Sequence, residues 1–333
     1  MFKYLIKIKL ALITVALLLG ISFINLIIVY LSVPGPLEKV TTLIVTPRSS
    51  TKEISIEFGQ NNIISHKYLF YLIAKIYSLR YPLKSGEYIF TNAISPLQVL
   101  AILANGKSVI HKLIITEGMT TNEIIAKINS EPRLTGIIED NISEGFLMPS
   151  TYLFSYGDTK EQIINQMRKA MTLAIDQAMI KLSPDSPLKS RSDVLTLASI
   201  VEKEAKLDEE RAIIAAVFLN RLKKGMKLQA DPTSIYAITQ GKAKLSRALT
   251  RKDLLVASPY NTYYSFGLPP GAISCPGTKS IMAVVSPAVT KALYFVVDGM
   301  GGHNFSEDIV QHNMYFQQYK KYRTAKQMEG NQD

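Results

Sequence analysis

From Leu10 to Leu37 the chain carries no charged side chain, and Leu10–Leu31 is almost wholly apolar, with Asn25 its only strongly polar residue. At about 1.5 Å per residue this stretch makes a helix of roughly 33 Å, enough to cross a bilayer core. A secretory signal has a shorter apolar run and small residues at a cleavage site. Here Pro34-Gly35-Pro36 follows instead. The expectation is an uncleaved single-pass anchor over 10–31. Lys3, Lys7 and Lys9 precede it without an acidic partner, which puts residues 1–9 in the cytoplasm. Everything beyond Pro36 is then expected on the periplasmic or extracytoplasmic side of the inner membrane.

That topology governs how the remaining composition is read. A chain of 333 residues has room for two domains with cores of their own. The net charge of +11 suits nucleic acid in other settings, but an exported domain rarely meets any. Anionic lipid heads and wall polymers, or simply a solvated basic surface, account for it better. Cys275 is the single cysteine, so no intramolecular disulfide forms. No Cys/His cluster has metal-ligand spacing, and neither a metal nor a cofactor is expected.

The fold class expected is α+β. Thr41–Pro47 and Glu87–Thr91 read as strands enclosing two helices, one capped by Ser50-Thr51 and one over His66–Tyr77 capped by Ser65. Pro96–Asn105 reads as a helix closed by Gly106, Ser108–Glu117 as a strand and Thr121–Ser130 as a short helix. Glu144–Phe154 is a Pro-containing aromatic loop. Long helices follow from Thr159–Lys181 onward, so a module boundary is expected between Arg133 and Asp158. The tail 326–333 is polar.

Four segments carry candidate chemistry. In Arg191–Lys206, with Ser192 or Asp193 as cap, two carboxylates border one apolar face: Glu204 beside Leu197 and Val201, and Glu202 near Ala198. Partial burial raises a glutamate toward the range a general acid needs. Periodicity alone leaves the two as near equals, and an ordinary salt-bridged surface glutamate is the commoner reading of such a residue. Asp208–Lys224 reads as a structural helix, with acids at its start and bases at its end. In Met226–Tyr236, Gln229 and Asp231 flank a turn at Pro232; Asp-Pro-Thr is either a helix cap or a polar loop facing a sugar. Tyr260–Gly271 gathers Asn261, Tyr263 and other aromatics suited to stacking on a pyranose. Asp298–Phe305 is a Gly-rich turn after a strand, with His303 as a possible substrate contact. It lacks the ending of a phosphate loop.

At these segments the chain resembles the endolytic murein transglycosylases, the MltG or YceG-like family. The likeness is densest over Ala198–Ala205, Val217–Leu222, Met226–Tyr236, Tyr260–Gly277 and Tyr294–Phe305. The resemblance implies a LysM-like module over 38–135 and a mixed α+β catalytic domain with long helices over 136–325. It implies that Glu204, the second glutamate of Val-Glu-Lys-Glu, is the catalytic acid/base. Gln229, Asp231, Asn261, Tyr263 and His303 are the substrate-binding candidates. The implied reaction is lytic cleavage of the MurNAc–GlcNAc bond in nascent peptidoglycan strands, leaving 1,6-anhydroMurNAc ends and stopping elongation close to the synthases. One departure stands out: where the family usually carries an acidic residue after Pro149, this chain has Ser150.

Three rival readings stay open. A hydrolytic muramidase would pair Glu204 with Asp231 or Glu144. A thiol peptidase would use Cys275, His303 and Asn304. A membrane-anchored wall-binding scaffold would bind peptidoglycan without turnover.

Overall fold

The computed structural model describes residues 2–138 and 141–329. Helix α1 (Phe2–Ser32) is long and apolar enough to cross a membrane, with mean hydropathy 2.7 and its apolar stretch unburied by protein.

The chain divides into two compact units, residues 1–111 with 153–158, and residues 112–152 with 159–333. In the first, β1 (Thr41–Val45) and β2 (Gly86–Phe90) pair antiparallel, with Leu43 opposite Tyr88. Between them run α2 (Thr51–Gln60) and α3 (Lys67–Tyr77), and α4 (Pro96–Asn105) follows. The expected strand–helix–helix–strand order is therefore present. Phe58, Phe70, Tyr88, Phe90, Leu100 and Leu103 fill its core. Ser50 caps α2 through a capping box with Glu53. The cap expected of Ser65 does not form: α3 starts one residue later, from His66, with no side-chain cap.

β3 (Ile110–Ile114), shorter than expected, forms a two-stranded sheet with β4 (Thr151–Ser155). The segment expected to be loop through Phe154 thus ends as a strand. Its outward Thr151 and Leu153 alternate with buried Tyr152 and Phe154.

The second unit begins with α5 (Thr121–Asn129) and builds its core from α6 (Lys160–Lys181), α7 (Arg191–Glu204), α8 (Arg211–Lys223) and α10 (Thr278–Val285). α9 (Asp231–Thr239) precedes α10. The hairpin of β5 (Tyr294–Val297) and β6 (His303–Ser306) leads to α11 (Ile309–Glu329). Of the tail, residues 330–333 lie outside the described residues. The cap of α7 is neither Ser192 nor Asp193: Ser190 holds that place and Asp193 answers as its capping-box partner. The run expected as one helix from Asp208 opens as a 3₁₀ turn over Asp208–Glu210.

Candidate active site

Helix α7 delivers the central group. Val194–Val201 are all buried, which fixes the helix along its length. Glu204 is its last residue; Ala205 turns extended while its N–H still bonds the Val201 carbonyl at 2.9 Å. The glutamate therefore leaves the core at a rigid helix end and opens into a cleft of about 200 Å³. Arg221, Gln229, Asp231, Tyr263, Phe295 and His303 line it with Glu204.

The Glu204 carboxyl is pushed up to about 8, first by burial and then by the negative charge of Asp231. Its seat in the last turn of α7, the negative end of the helix dipole, works in the same direction. At neutral pH this group holds its proton.

Asp231 is not a helix cap. It is the first residue of α9; Ala230 occupies the cap position with no side-chain bond. The exposed carboxylate accepts the Tyr263 hydroxyl at 2.6 Å. Gln229 sits two residues earlier at φ 50, a left-handed conformation that is costly for a side-chain-bearing residue. Its N–H donates to the Thr262 carbonyl at 3.2 Å.

His303 lines the far wall. The β5–β6 hairpin sets it opposite Val297. Its backbone N–H and ring Nδ1 both engage Glu210, at 2.7 Å each, and the other ring nitrogen is Nε2. A Cβ on the preceding Gly302 would come within 2.7 Å of Glu210 Oε1, so a larger residue there would displace the carboxylate that holds His303.

Asn261 does not line the cleft. It is fully buried. Its amide donates to the Leu254 and Val256 carbonyls, and its Oδ1 accepts from Ser234 and the Tyr263 N–H. It holds the loop that presents Tyr263.

Glu202, the near equal of Glu204 in sequence, lies elsewhere. Its side chain is 5% exposed and ion-paired with Arg211 at 3.0 Å. Its other oxygen accepts the Gly277 N–H at 3.0 Å. Glu144 is likewise spent on local bonds, accepting from the Thr121 N–H and hydroxyl, the Gly145 N–H and the Tyr236 hydroxyl. Cys275 is buried beside Thr121 and Glu144, and burial pushes its thiol up to about 12. His303 is bound to Glu210 instead, so the two do not form a nucleophile–base pair. Ser150 is exposed, with its carbonyl accepting from the Ile115 N–H.

Arg221 is a cleft residue that the sequence reading assigned to the helix dipole. It is buried, and its guanidinium donates to the carbonyls of Leu293 at 2.6 Å and Leu228 at 2.7 Å. It also stacks on Tyr294. The available signal was an arginine three and four residues after Phe218 and Val217, on the apolar side of α8. Among the described residues, no cluster of three or more His, Cys, Asp or Glu could hold a metal ion.

Against known proteins, the model of the YceG-like family matches residues 43–318. An endolytic murein transglycosylase of Bacillus subtilis (strain 168) is 38% identical over 177 residues, 53% of this chain and 48% of that protein. One of Streptococcus pneumoniae serotype 2 (strain D39 / NCTC 7466) is 29% identical over 311 residues, 78% of this chain and 55% of that protein. A crystal structure of a yceG-like protein from Listeria monocytogenes superposes with TM-score 0.53 at 32% identity, covering 83% of this chain and 98% of that one. The chain spans about half the length of the curated relatives it matches.

Proposed function

This chain belongs to the YceG-like family, and on that premise we propose that it is an endolytic lytic transglycosylase acting on peptidoglycan glycan strands. The observation that carries the reading is a glutamic acid held protonated in a polar cleft. Glu204 donates its proton to the glycosidic oxygen between MurNAc and GlcNAc. The C1–O bond breaks as positive charge develops at C1. The Glu204 carboxylate then takes the proton from the muramyl C6 hydroxyl, whose oxygen closes on C1 to give a 1,6-anhydro end. No water is consumed, so one carboxylate serves both steps, unlike the paired carboxylates of most glycosidases. Gln229, Tyr263, Arg221 and His303 orient the sugars, and Asp231 holds Tyr263 and keeps Glu204 neutral.

In this reading α1 anchors the protein in the cytoplasmic membrane and residues after Pro36 face the emerging wall. The part of the first unit beyond α1 serves as a LysM-like glycan-binding module, and the second unit, which carries Glu204, as the catalytic domain. Cleavage of strands as they are made brings the enzyme close to peptidoglycan synthases. The membership, the likeness to named transglycosylases and the protonated acid support this reading together.

Glu204→Gln keeps the shape and removes the acid. Release of anhydro-ended muropeptides from purified strands should fall by about 10²–10⁴-fold, with the circular dichroism spectrum unchanged. Persisting release would overturn the assignment. Asp231 in the same cleft favours one second reading, hydrolysis by a carboxylate pair. Mass spectrometry separates the two, since a hydrolytic product carries an added water.

A further inference from the structure

Helix α3 is apolar on two faces, and among the described residues only one of them has a partner. Phe70 and Ala74 point into the core of the first unit. On the other side Tyr68, Leu72 and Ile76 are 69%, 57% and 71% exposed, and Leu79 in the following turn is 86% exposed. At about 100° per residue these four fall within a single stripe. In an aqueous domain such a face is a liability unless something covers it.

Two observations identify the cover. The first is location. The last turn of α1 does not trail off into a linker: Tyr30 and Leu31 pack against the core of this unit. The Tyr30 hydroxyl donates to the carbonyl of His66, and the two rings lie 6.0 Å apart. His66 is the residue from which α3 starts. Tyr30 and Leu31 end the apolar span, so they lie at the edge of the hydrocarbon. Whatever touches them sits at headgroup depth, and the stripe begins two residues beyond His66.

The second is charge. Between Glu57 and Glu87 the chain has no carboxylate, but it has Lys67, Lys75, Arg80 and Lys84. Lys67 lies over the Tyr68 ring and Arg80 over the Tyr81 ring. Apolar and aromatic side chains flanked by cations, in a stretch of chain without acids, are what an interfacial helix presents to an anionic leaflet.

We propose that the exposed face of α3 docks on the outer surface of the membrane that α1 crosses, with Tyr68, Leu72, Ile76 and Leu79 among the lipid headgroups and the cations on anionic phosphates. This rests on α1 being the membrane span. The docked helix makes the first unit a fixed plinth on the bilayer, where a chain held by α1 alone would swing.

The test uses the full chain reconstituted in vesicles of zwitterionic lipid with and without phosphatidylglycerol. Leu72→Cys and Ile76→Cys carry an environment-sensitive fluorophore; Lys107→Cys, exposed in the same unit, is the control. The unsubstituted chain, whose buried Cys275 should stay unlabelled, is the blank. Spin-labelled lipid should quench positions 72 and 76 severalfold more than position 107, and aqueous iodide should do the reverse. The contrast should deepen with phosphatidylglycerol and weaken in salt. Equal iodide quenching at all three positions would overturn the proposal. So would protection from both quenchers at positions 72 and 76 that is lost on dilution, which would mean that a second copy of the chain covers the face. Flotation with vesicles after carbonate extraction is read in parallel. Failure to float removes the anchor reading and the proposal with it, whereas flotation without lipid quenching removes the proposal alone.

Discussion

Tyr263 gives its hydroxyl hydrogen to Asp231 Oδ1 at 2.6 Å, and through that carboxylate an aromatic loop and the start of α9 are joined beside Glu204. The phenol is kept neutral, its ionisation pushed up by burial first and then by this bond. Asp231 cannot relax away from Glu204 without breaking the bond. Its charge therefore acts on the glutamate as a fixed feature of the cleft.

The first prediction concerns pH. With Glu204 at about 8, the protonated acid persists through neutrality, and turnover that needs it should fall about tenfold per pH unit above that value. The same shift acts on stability. The unfolded chain ionises this residue from 4.5 upward, while the folded one keeps the proton until about 8. The raised value therefore favours the fold fully only below about 4.5. As pH rises, that advantage is lost until it levels off near 8. At 1.36 kcal/mol per unit the loss is on the order of 3 kcal/mol at pH 7 before any discount for partial exposure. Glu204→Gln should thus melt higher than the unsubstituted chain at pH 7.5, with the gap closing toward pH 4.5. Calorimetry across that range checks both sign and window, and a variant that melts lower at pH 7.5 would contradict the buried-acid account.

A second prediction separates the two causes of that shift. Burial ranks above the Asp231 charge. Asp231→Asn removes the charge and leaves an amide oxygen to accept from Tyr263. The alkaline limb of the pH–rate profile should move to lower pH, by less than the whole displacement of Glu204 from its ordinary value. A limb that stays in place would mean that Asp231 does not act on the acid; one that moves to the ordinary carboxylate range would mean that burial contributes little.

How far the site was legible in the sequence depends on the range of the interactions involved. Helical phase put Glu202 and Glu204 on the two flanks of one apolar face, and α7 bears that face out. Phase could not say that Arg211, nine residues on in another helix, would claim Glu202. Asp231 looked as much a cap as a ligand because the choice depends on Tyr263, 32 residues away. Asn261 was noticed for its chemistry, yet its four bonds all go to its own loop and α9. Arg221 passed as a dipole-suited base because the carbonyls that hold it belong to Leu228 and Leu293. Local elements came out close to their expected bounds, since caps and periodicity act within a few residues. Ser192 misled because Ser190 lies in better register with the first turn, and Ser65 because α3 starts one residue too late for it to cap.

A third prediction is chemical. The Cys275 thiol is buried and pushed up to about 12, chiefly by desolvation. Iodoacetamide at pH 8 should leave the folded protein unmodified and its turnover unchanged, with modification appearing only on unfolding. Mass spectrometry of intact protein against a urea series reads this directly. Rapid native alkylation with loss of turnover would bring back the thiol peptidase reading.

The last prediction tests whether the helix carrying the acid is braced by the ion pair two residues before its end. Arg211 and Glu202 are 9% and 5% exposed at the side chain, and Arg211 also engages Asp208 and Ser280. Removing one member of a buried pair typically costs about 3–5 kcal/mol when the other is left unpaired; here the more exposed Asp208 stays with Arg211, so the loss should fall below that range. Glu202→Ala should therefore lower the melting temperature. Glu202→Leu with Arg211→Met, which removes both charges, should recover much of the loss. Well below the melting point, turnover and the position of its alkaline limb should stay near those of the unsubstituted chain, because Glu202 does not line the cleft. A Glu202 variant that keeps its stability but loses turnover, as Glu204→Gln is expected to do, would exchange the roles of the two glutamates.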